Sequence, residues 1–367
     1  MNLKTDKRIS IKIGSNVIAG KNGLPDLVLL QSITHQICQL QKDGCQVILV
    51  SSGAVAAGKS IIKPHKKADT VEQRQLLASV GQVKLIQTYT DLFEKEDQIC
   101  AQVLVTKQDF KDRQHYRNMQ NCLNALLQNG IIPIVNEDVV SVTELMFTDN
   151  DELAGLVSAM LNVNVLYVLT NVDGIYNDNP EKEQAEIISV YDDKHHDIEQ
   201  LALREKSNFG RGGMITKCHT SQKVASLGIP VTITNGRIDN VLIRLESGEK
   251  LGTFFPPKKS TTNFKKWIAH SRGYTKGEVI VNEGARKMIM SNHASSILPV
   301  GIISLSGSFQ KGDVIKILDE KENEIGLGMA KYNYKKARDL IGIKNQKPLI
   351  HYDHLYLHGQ NNAKWSQ

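Results

Sequence analysis

Three apolar runs in the first 170 residues refuse to alternate. Val47-Ile48-Leu49-Val50, Ile131-Ile132-Pro133-Ile134-Val135 and Val165-Leu166-Tyr167-Val168-Leu169 each put apolar groups on both faces of an extended chain. Strands of that kind are covered on both sides and belong to parallel sheets. Each run also stops on a polar cluster: Ser51-Ser52-Gly53, Asn136-Glu137-Asp138 and Thr170-Asn171. These are carboxyl ends of strands, where open α/β sheets place their ligands.

Helical patterns separate the runs. Leu27, Leu30, Ile33, Ile37 and Leu40 form the apolar face of a helix expected from Pro25 to Asp43, with Gly44 as its stop. Further helices are predicted over Val71 to Phe93, over Asn118 to Gln128 before Asn129-Gly130, and over Glu152 to Leu161 behind the capping sequence Thr148-Asp149-Asn150-Asp151. Ile9, Ile11 and Ile13 predict a first strand that delivers Lys12 and then Gly14-Ser15-Asn16; strands are also expected near Ala101 to Val105 and Val231 to Thr234. Strands alternating with helices in this way predict an α/β three-layer sandwich around a mostly parallel sheet.

The texture changes at Phe254 to Thr262, where Pro256-Pro257-Lys258-Lys259 reads as a linker. Beyond it, short β-rich segments at Glu278 to Asn282, Gly301 to Leu305, Val314 to Leu318 and Ile325 to Ala330 predict a small β-barrel-like module, with short helices near Ala285 to Met290 and Lys335 to Ile341. The expected division is 1–255 for the first domain, 256–273 for the linker and 274–355 for the second domain. Charge follows the same line: residues 1–262 hold 29 Lys+Arg against 30 Asp+Glu, and residues 263–367 hold 16 against 9. The basic excess suits a polyanionic partner, and solubility explains it as well. The polar start of the chain and the lack of a long apolar run predict a cytoplasmic protein without a membrane span. Five scattered cysteines with no C-x-x-C pair predict reduced thiols rather than disulfides.

Phe209-Gly210-Arg211-Gly212-Gly213-Met214-Ile215-Thr216-Lys217 is a glycine-rich turn feeding a helix whose Met214, Cys218, Ser221 and Ala225 share one face. Backbone N–H groups and the helix dipole would there meet an anion unobstructed, with Lys217 in the first turn. Its spacing is neither the dinucleotide fingerprint nor the P-loop, and a tight turn that binds nothing has the same composition. Lys12, Ser52, Asn136, Asp138, Asn150, Asp151, Thr170 and Lys217 all follow a predicted strand or open a helix, so one crevice can receive them. Two lysines and a glycine cradle suit phosphoryl transfer, and serine, Asn and Asp side chains suit a small zwitterion. His195-His196 have no third ligand at metal-binding spacing, and no protein metal site is expected.

The motifs Ile-Lys12-Ile-Gly14-Ser15-Asn16, Ser51-Ser52-Gly53-Ala54-Val-Ala-Ala-Gly58, Ala78-Ser-Val80-Gly81-Gln82, Pro133-Ile-Val-Asn136-Glu137, Asp149-Asn150-Asp151-Glu-Leu153 and Gly212-Gly213-Met214-Ile-Thr216-Lys217 together resemble the glutamate 5-kinases of the amino acid kinase family. Gly277-Glu278, Asn282-Glu283-Gly284-Ala285, Ser295-Ser296-Ile-Leu298-Pro299-Val-Gly301 and Tyr332-Asn333 resemble the PUA domain carried by bacterial members. The resemblance implies phosphorylation of L-glutamate by ATP with Mg²⁺, the first step of proline synthesis. It implies Lys12, Asp151 and Lys217 as catalytic residues, Asp151 orienting the lysines or the metal. Ser52, Gly53, Asn136, Asp138 and Asn150 would bind substrate, with Asp138 at the ammonium and Asn150 at the carboxylate end. Lys12, Thr170, Asn171, Arg211, Gly212, Gly213, Met214, Ile215, Thr216 and Lys217 would bind the nucleotide. It further implies a homo-oligomer, dimer or tetramer, with proline as feedback effector and glutamate-5-semialdehyde dehydrogenase as channelling partner. RNA binding by the PUA domain is a less favoured reading.

The chain departs from the family pattern at three places. Asn136-Glu137-Asp138 is one residue short of the usual Asn-Glu-Asn-Asp, Asn171 replaces an aspartate, and Arg211 stands where a small neutral residue is more common. Two other functions compete: a kinase of a different small carboxylate on the same core, and an RNA-binding protein with a vestigial kinase core.

Overall fold

Strand β1 (Arg8–Ile13) is the middle strand of a seven-stranded sheet in the computed structural model. The structure describes residues 7–20, 24–63, 70–111, 113–139, 150–178, 182, 184–192, 213–258, 275–291 and 295–357. Alternation of Ile with polar residues ordinarily marks a half-solvated strand. Here both faces are covered: Ser10 and Lys12 are as buried as Ile9, Ile11 and Ile13.

Helices α1 (Ser15–Ile18) and α2 (Leu27–Lys42) follow. Asp26 caps α2 by accepting from the Leu29 amide at 3.2 Å, so the helix begins two residues later than Pro25. Then come β2 (Gln46–Ser51), α3 (Ala54–Lys59), α4 (Thr70–Glu94), β3 (Cys100–Val105), α5 (Lys107–Lys111), α6 (Arg113–Gln128) and β4 (Ile132–Glu137). Helix α7 (Asn150–Leu161) starts at Asn150 rather than Glu152, placing Asn150 and Asp151 inside its first turn. The unit is completed by β5 (Val165–Thr170), α8 (Met214–Ser226), β6 (Val231–Asn235), α9 (Val241–Glu246) and β7 (Thr253–Phe255).

The strand order is β3-β4-β2-β1-β5-β6-β7. All pairs are parallel except β6 with β7. The change of texture noted from Phe254 hides a short edge strand, since Phe254 and Phe255 pair with Thr232 and Val231. Phe255 is buried and stacks on Tyr191 with ring centroids 4.7 Å apart. Parallel strands put the carboxyl ends of β4, β2, β1, β5 and β6 on one edge, and the polar clusters with them.

Two glycine contacts shape that edge. Added Cβ atoms at Gly58 and Gly81 would overlap the carbonyls of Leu77 and Ala54, so α3 and α4 meet backbone to backbone. Helix α4 then presents Leu77, Gln82, Leu85, Tyr89 and Phe93 inward.

The chain folds as two compact units, Met1–Pro257 and Lys258–Gln367. The second contains β8 (Gly277–Val281), α10 (Glu283–Met290), β9 (Ile302–Gly307), β10 (Val314–Leu318), β11 (Glu324–Met329), α11 (Tyr334–Asp339) and β12 (Leu355–Leu357). They form a five-stranded sheet in the order β12-β11-β10-β8-β9, parallel only between β8 and β10. Val279, Phe309, Ile315, Ile317, Leu349 and Ile350 lie in its separate core. Asn282 and Asn333 cap α10 and α11 through the Ala285 and Lys336 amides.

Candidate active site

Lys12 lies one residue from the end of β1 and its side chain is 2% exposed. A buried ammonium is costly unless it is paired. Its Nζ lies 2.6 Å from Oδ1 of Asp151, whose side chain is 1% exposed. Lys217 of α8 donates to the other oxygen, Oδ2, at 2.7 Å. One carboxylate at the head of α7 thus gathers two ammonium groups from different elements. Close packing of the helices makes this possible: a Cβ at Gly155, one turn after Asp151, would stand 2.9 Å from Val224 and 3.1 Å from Thr220 of α8.

Beside the trio runs a chain of amides. Asn150 Nδ2 faces Asn136 Oδ1 at 2.9 Å, Ser52 Oγ at 3.0 Å and the Ser51 carbonyl at 3.2 Å. Asn136 Nδ2 in turn donates to Gln82 Oε1 at 2.8 Å. The Ser51 carbonyl can only accept, so it fixes the orientation of the Asn150 amide. The amide hydrogens of Asn150 are thereby committed to the protein, and its oxygen is the atom available to a ligand. Ser52 Oγ accepts from Asn150, which leaves its own O–H as a donor. Gly53 follows at φ +104°, a conformation that favours glycine, and opens α3.

The remaining positions are less tightly grouped. Asp138 sits half-buried after β4, its amide donating to the Val105 carbonyl at 2.9 Å. Thr170 is buried at the end of β5, its hydroxyl 3.4 Å from Asn171 Oδ1. Gly213 precedes the first turn of α8, which holds Met214, Ile215, Thr216 and Lys217. Thr148, Asp149, His195, His196, Arg211 and Gly212 lie outside the described residues.

Residues 7–235 match the amino acid kinase family and residues 277–349 the PUA domain. The chain belongs to the amino acid kinase family. It is 46% identical to the glutamate 5-kinase of Bacteroides thetaiotaomicron over 354 residues, covering 95% of this chain and 98% of that protein. It is 48% identical to the glutamate 5-kinase of Chlorobaculum tepidum, covering 96% and 97%. Among solved structures it is similar to a UMP kinase from Bacillus anthracis at 16% identity and a TM-score of 0.47, covering 68% of this chain and 96% of that one.

For this member of the amino acid kinase family, the sequence motifs contain Ser51 and Gln82 without giving them a site role, and they do not single out Tyr89. Gln82 occupies the buried stripe of α4, four residues before Ile86 and three before Leu85. A polar side chain in an apolar stripe was the available signal, since it needs an internal partner. Tyr89, on the same stripe, pairs its hydroxyl with Ser51 Oγ at 2.8 Å. Burial pushes the phenol well above its ordinary range, so it stays a neutral prop under the β2 end.

Proposed function

We propose that this protein transfers the γ-phosphoryl group of ATP to the γ-carboxylate of L-glutamate, giving ADP and γ-glutamyl phosphate, the first step of proline synthesis. The observation that carries the proposal is the convergence of Lys12 and Lys217 on Asp151 directly beside the Ser52–Asn150–Asn136 amide chain. A carboxylate oxygen of glutamate attacks the γ-phosphorus, the bond to the β,γ-bridging oxygen breaks, and ADP leaves with the electron pair. No proton need be removed from the attacking carboxylate, so a general base is unnecessary. What the site must supply is alignment and neutralisation of charge on the moving group.

Lys12 and Lys217 supply the charge, and Asp151 holds both ammonium groups at one point before substrates arrive. Ser52 would donate to a substrate carboxylate, while the Asn150 oxygen, its amide nitrogen being taken up by protein acceptors, suits the α-ammonium beside Asp138 rather than the carboxylate end that the resemblance implies. Gly213 and the first turn of α8 would carry the ATP phosphates, with Thr170 and Asn171 near the nucleotide. Among the described residues no three His, Cys, Asp or Glu side chains cluster as metal ligands. Mg²⁺ would enter with the nucleotide and would neutralise phosphate charge. A homo-oligomer in the cytoplasm, inhibition by proline and hand-over of the labile acyl phosphate to glutamate-5-semialdehyde dehydrogenase complete the proposal.

The test is hydroxylamine trapping. Purified protein with ATP, Mg²⁺ and L-glutamate should form a hydroxamate, and N-acetylglutamate should give none. ATP consumption that ignores glutamate, or a preference for the acetylated acid, would overturn the assignment.

A further inference from the structure

The turn after Lys12 is held from three sides. Gly14 donates to the Leu169 carbonyl at 3.1 Å, and the amides of Val17 and Ile18 return to the Gly14 carbonyl at 3.0 and 3.1 Å. On one flank, a Cβ on Gly53 would lie 2.9 Å from Ile18; on the other, a Cβ on Gly236 would lie 2.9 Å from Val17. The turn is therefore wedged between the Ser52–Gly53 corner and the loop after β6.

Arg237 closes the open end of this wedge. Its Nη2 donates to the carbonyls of Val17 and Ala19, each at 3.1 Å, and its Nη1 to Asp26 Oδ2 at 2.9 Å. The backbone beneath it is tied to the strand ends: Gly236 donates to the Thr170 carbonyl at 2.8 Å, and the Arg237 amide to Asn235 Oδ1 at 2.9 Å. A planar guanidinium serves two carbonyls and a carboxylate through a rigid fork, a geometry that the compact ammonium of lysine does not reproduce. The side chain is 40% exposed. Exposed pairs contribute little stability, so what these bonds supply is geometry.

We infer that Arg237 is a positioning residue for phosphoryl transfer, fixing the turn that follows Lys12 against both the acceptor corner and the ends of β5 and β6. The inference rests on the proposed phosphoryl transfer. Misplacement of reacting groups by about 1 Å costs on the order of 10²-fold in rate. Arg237→Ala should accordingly lower kcat about 10- to 100-fold while the glutamate KM moves less than roughly threefold. Arg237→Lys should fall between, and added guanidinium at non-denaturing concentration should restore part of the alanine variant's rate.

Arg8 provides the control, because it makes contacts of the same type at the opposite end of β1: Nη1 to the Leu161 carbonyl at 3.0 Å and Nε to Gln46 Oε1 at 2.7 Å. Arg8→Ala should leave kcat near that of the parent. Hydrogen exchange on the ligand-free protein gives a second readout that does not depend on the substrate. Arg237→Ala should accelerate the Val17, Ile18 and Ala19 amides at least tenfold, and Arg8→Ala should not. Failure of the glutamate assignment would leave that exchange result intact. Unchanged exchange at these amides, an unchanged kcat, or an equal loss of kcat in Arg8→Ala would overturn the positioning role.

Discussion

At its amino-terminal edge the seven-stranded sheet holds Lys7, Glu246 and Tyr167 in one set of contacts; at its carboxyl edge it holds Lys12, Asp151 and Lys217 in another. In the first set Lys7 Nζ meets Glu246 Oε2 and the Tyr167 hydroxyl meets Oε1, both at 2.6 Å. One ammonium faces one carboxylate, and the phenol, pushed above its ordinary range by burial and by Glu246, stays neutral. Lys7 is 38% exposed. In the second set two ammonium groups face one carboxylate, with exposures of 2%, 1% and 11%. Similar residue types serve different ends: a wet pair fastens α9 to the sheet, whereas a dry trio joins three elements at the crevice. Burial separates the two edges.

The largest effects should come from the trio. Lys12→Ala and Lys217→Ala should each lower kcat by about 10²-fold or more, with little change in the glutamate KM, since both act on charge that develops during transfer. Asp151→Asn should also reduce melting temperature, because it removes the carboxylate from two ion pairs that are largely buried, and breaking a buried pair costs about 3–5 kcal/mol. Steady-state kinetics and thermal melts read both. Lys7→Ala changing kcat as much as Lys12→Ala would erase the distinction between the edges.

Next in size is the amide chain. Ser52→Ala, Asp138→Ala and Gln82→Leu should act chiefly through the glutamate KM, raising it about tenfold, as expected for a lost hydrogen bond of about 1.4 kcal/mol. A fall in kcat with unchanged KM would move these residues into the transfer step itself.

The α/β order was legible because the non-alternating runs at 47–50, 131–135 and 165–169 admit few other uses, and because Lys12, Asn150, Asp151 and Lys217 each stand at a strand or helix end. What stayed hidden depends on pairings distant in sequence. The hydrogen bond from Asn136 to Gln82 spans 54 residues and that from Arg237 to Val17 spans 220, and no local pattern records either. Phe254 and Phe255 lie inside the first domain as divided from the sequence, yet no strand is expected there, because Pro256-Pro257 follow and a three-residue edge strand needs only one neighbour. Strand β12 is equally short, is not predicted from the sequence, and is defined by its pairing with β11.

Smaller effects belong to the amino-terminal edge. Glu246→Gln should destabilise the protein by about 1 kcal/mol, a shift of about 2–4 °C in Tm, with kcat unchanged. Cys45 offers the finest probe there. Burial, and then the Glu246 carboxylate, raise its pKa above the ordinary thiol range, so less thiolate is present at a given pH. Glu246→Gln removes one of those causes and should shift the alkylation profile of Cys45 to lower pH, read by peptide mass spectrometry, while Cys122 at the surface is unaffected. No shift would mean that the Glu246 charge does not act on this edge.

The central claim is that Lys12 and Lys217 act through Asp151 as one phosphoryl-transfer unit, and a double-mutant cycle on kcat tests it most directly. Groups that work as a unit are strongly non-additive. The Lys12→Ala/Lys217→Ala double variant should therefore be no more than about threefold slower than the worse single variant. Losses that multiply, each substitution costing its full factor in the presence of the other, would show two independent lysines and contradict the account.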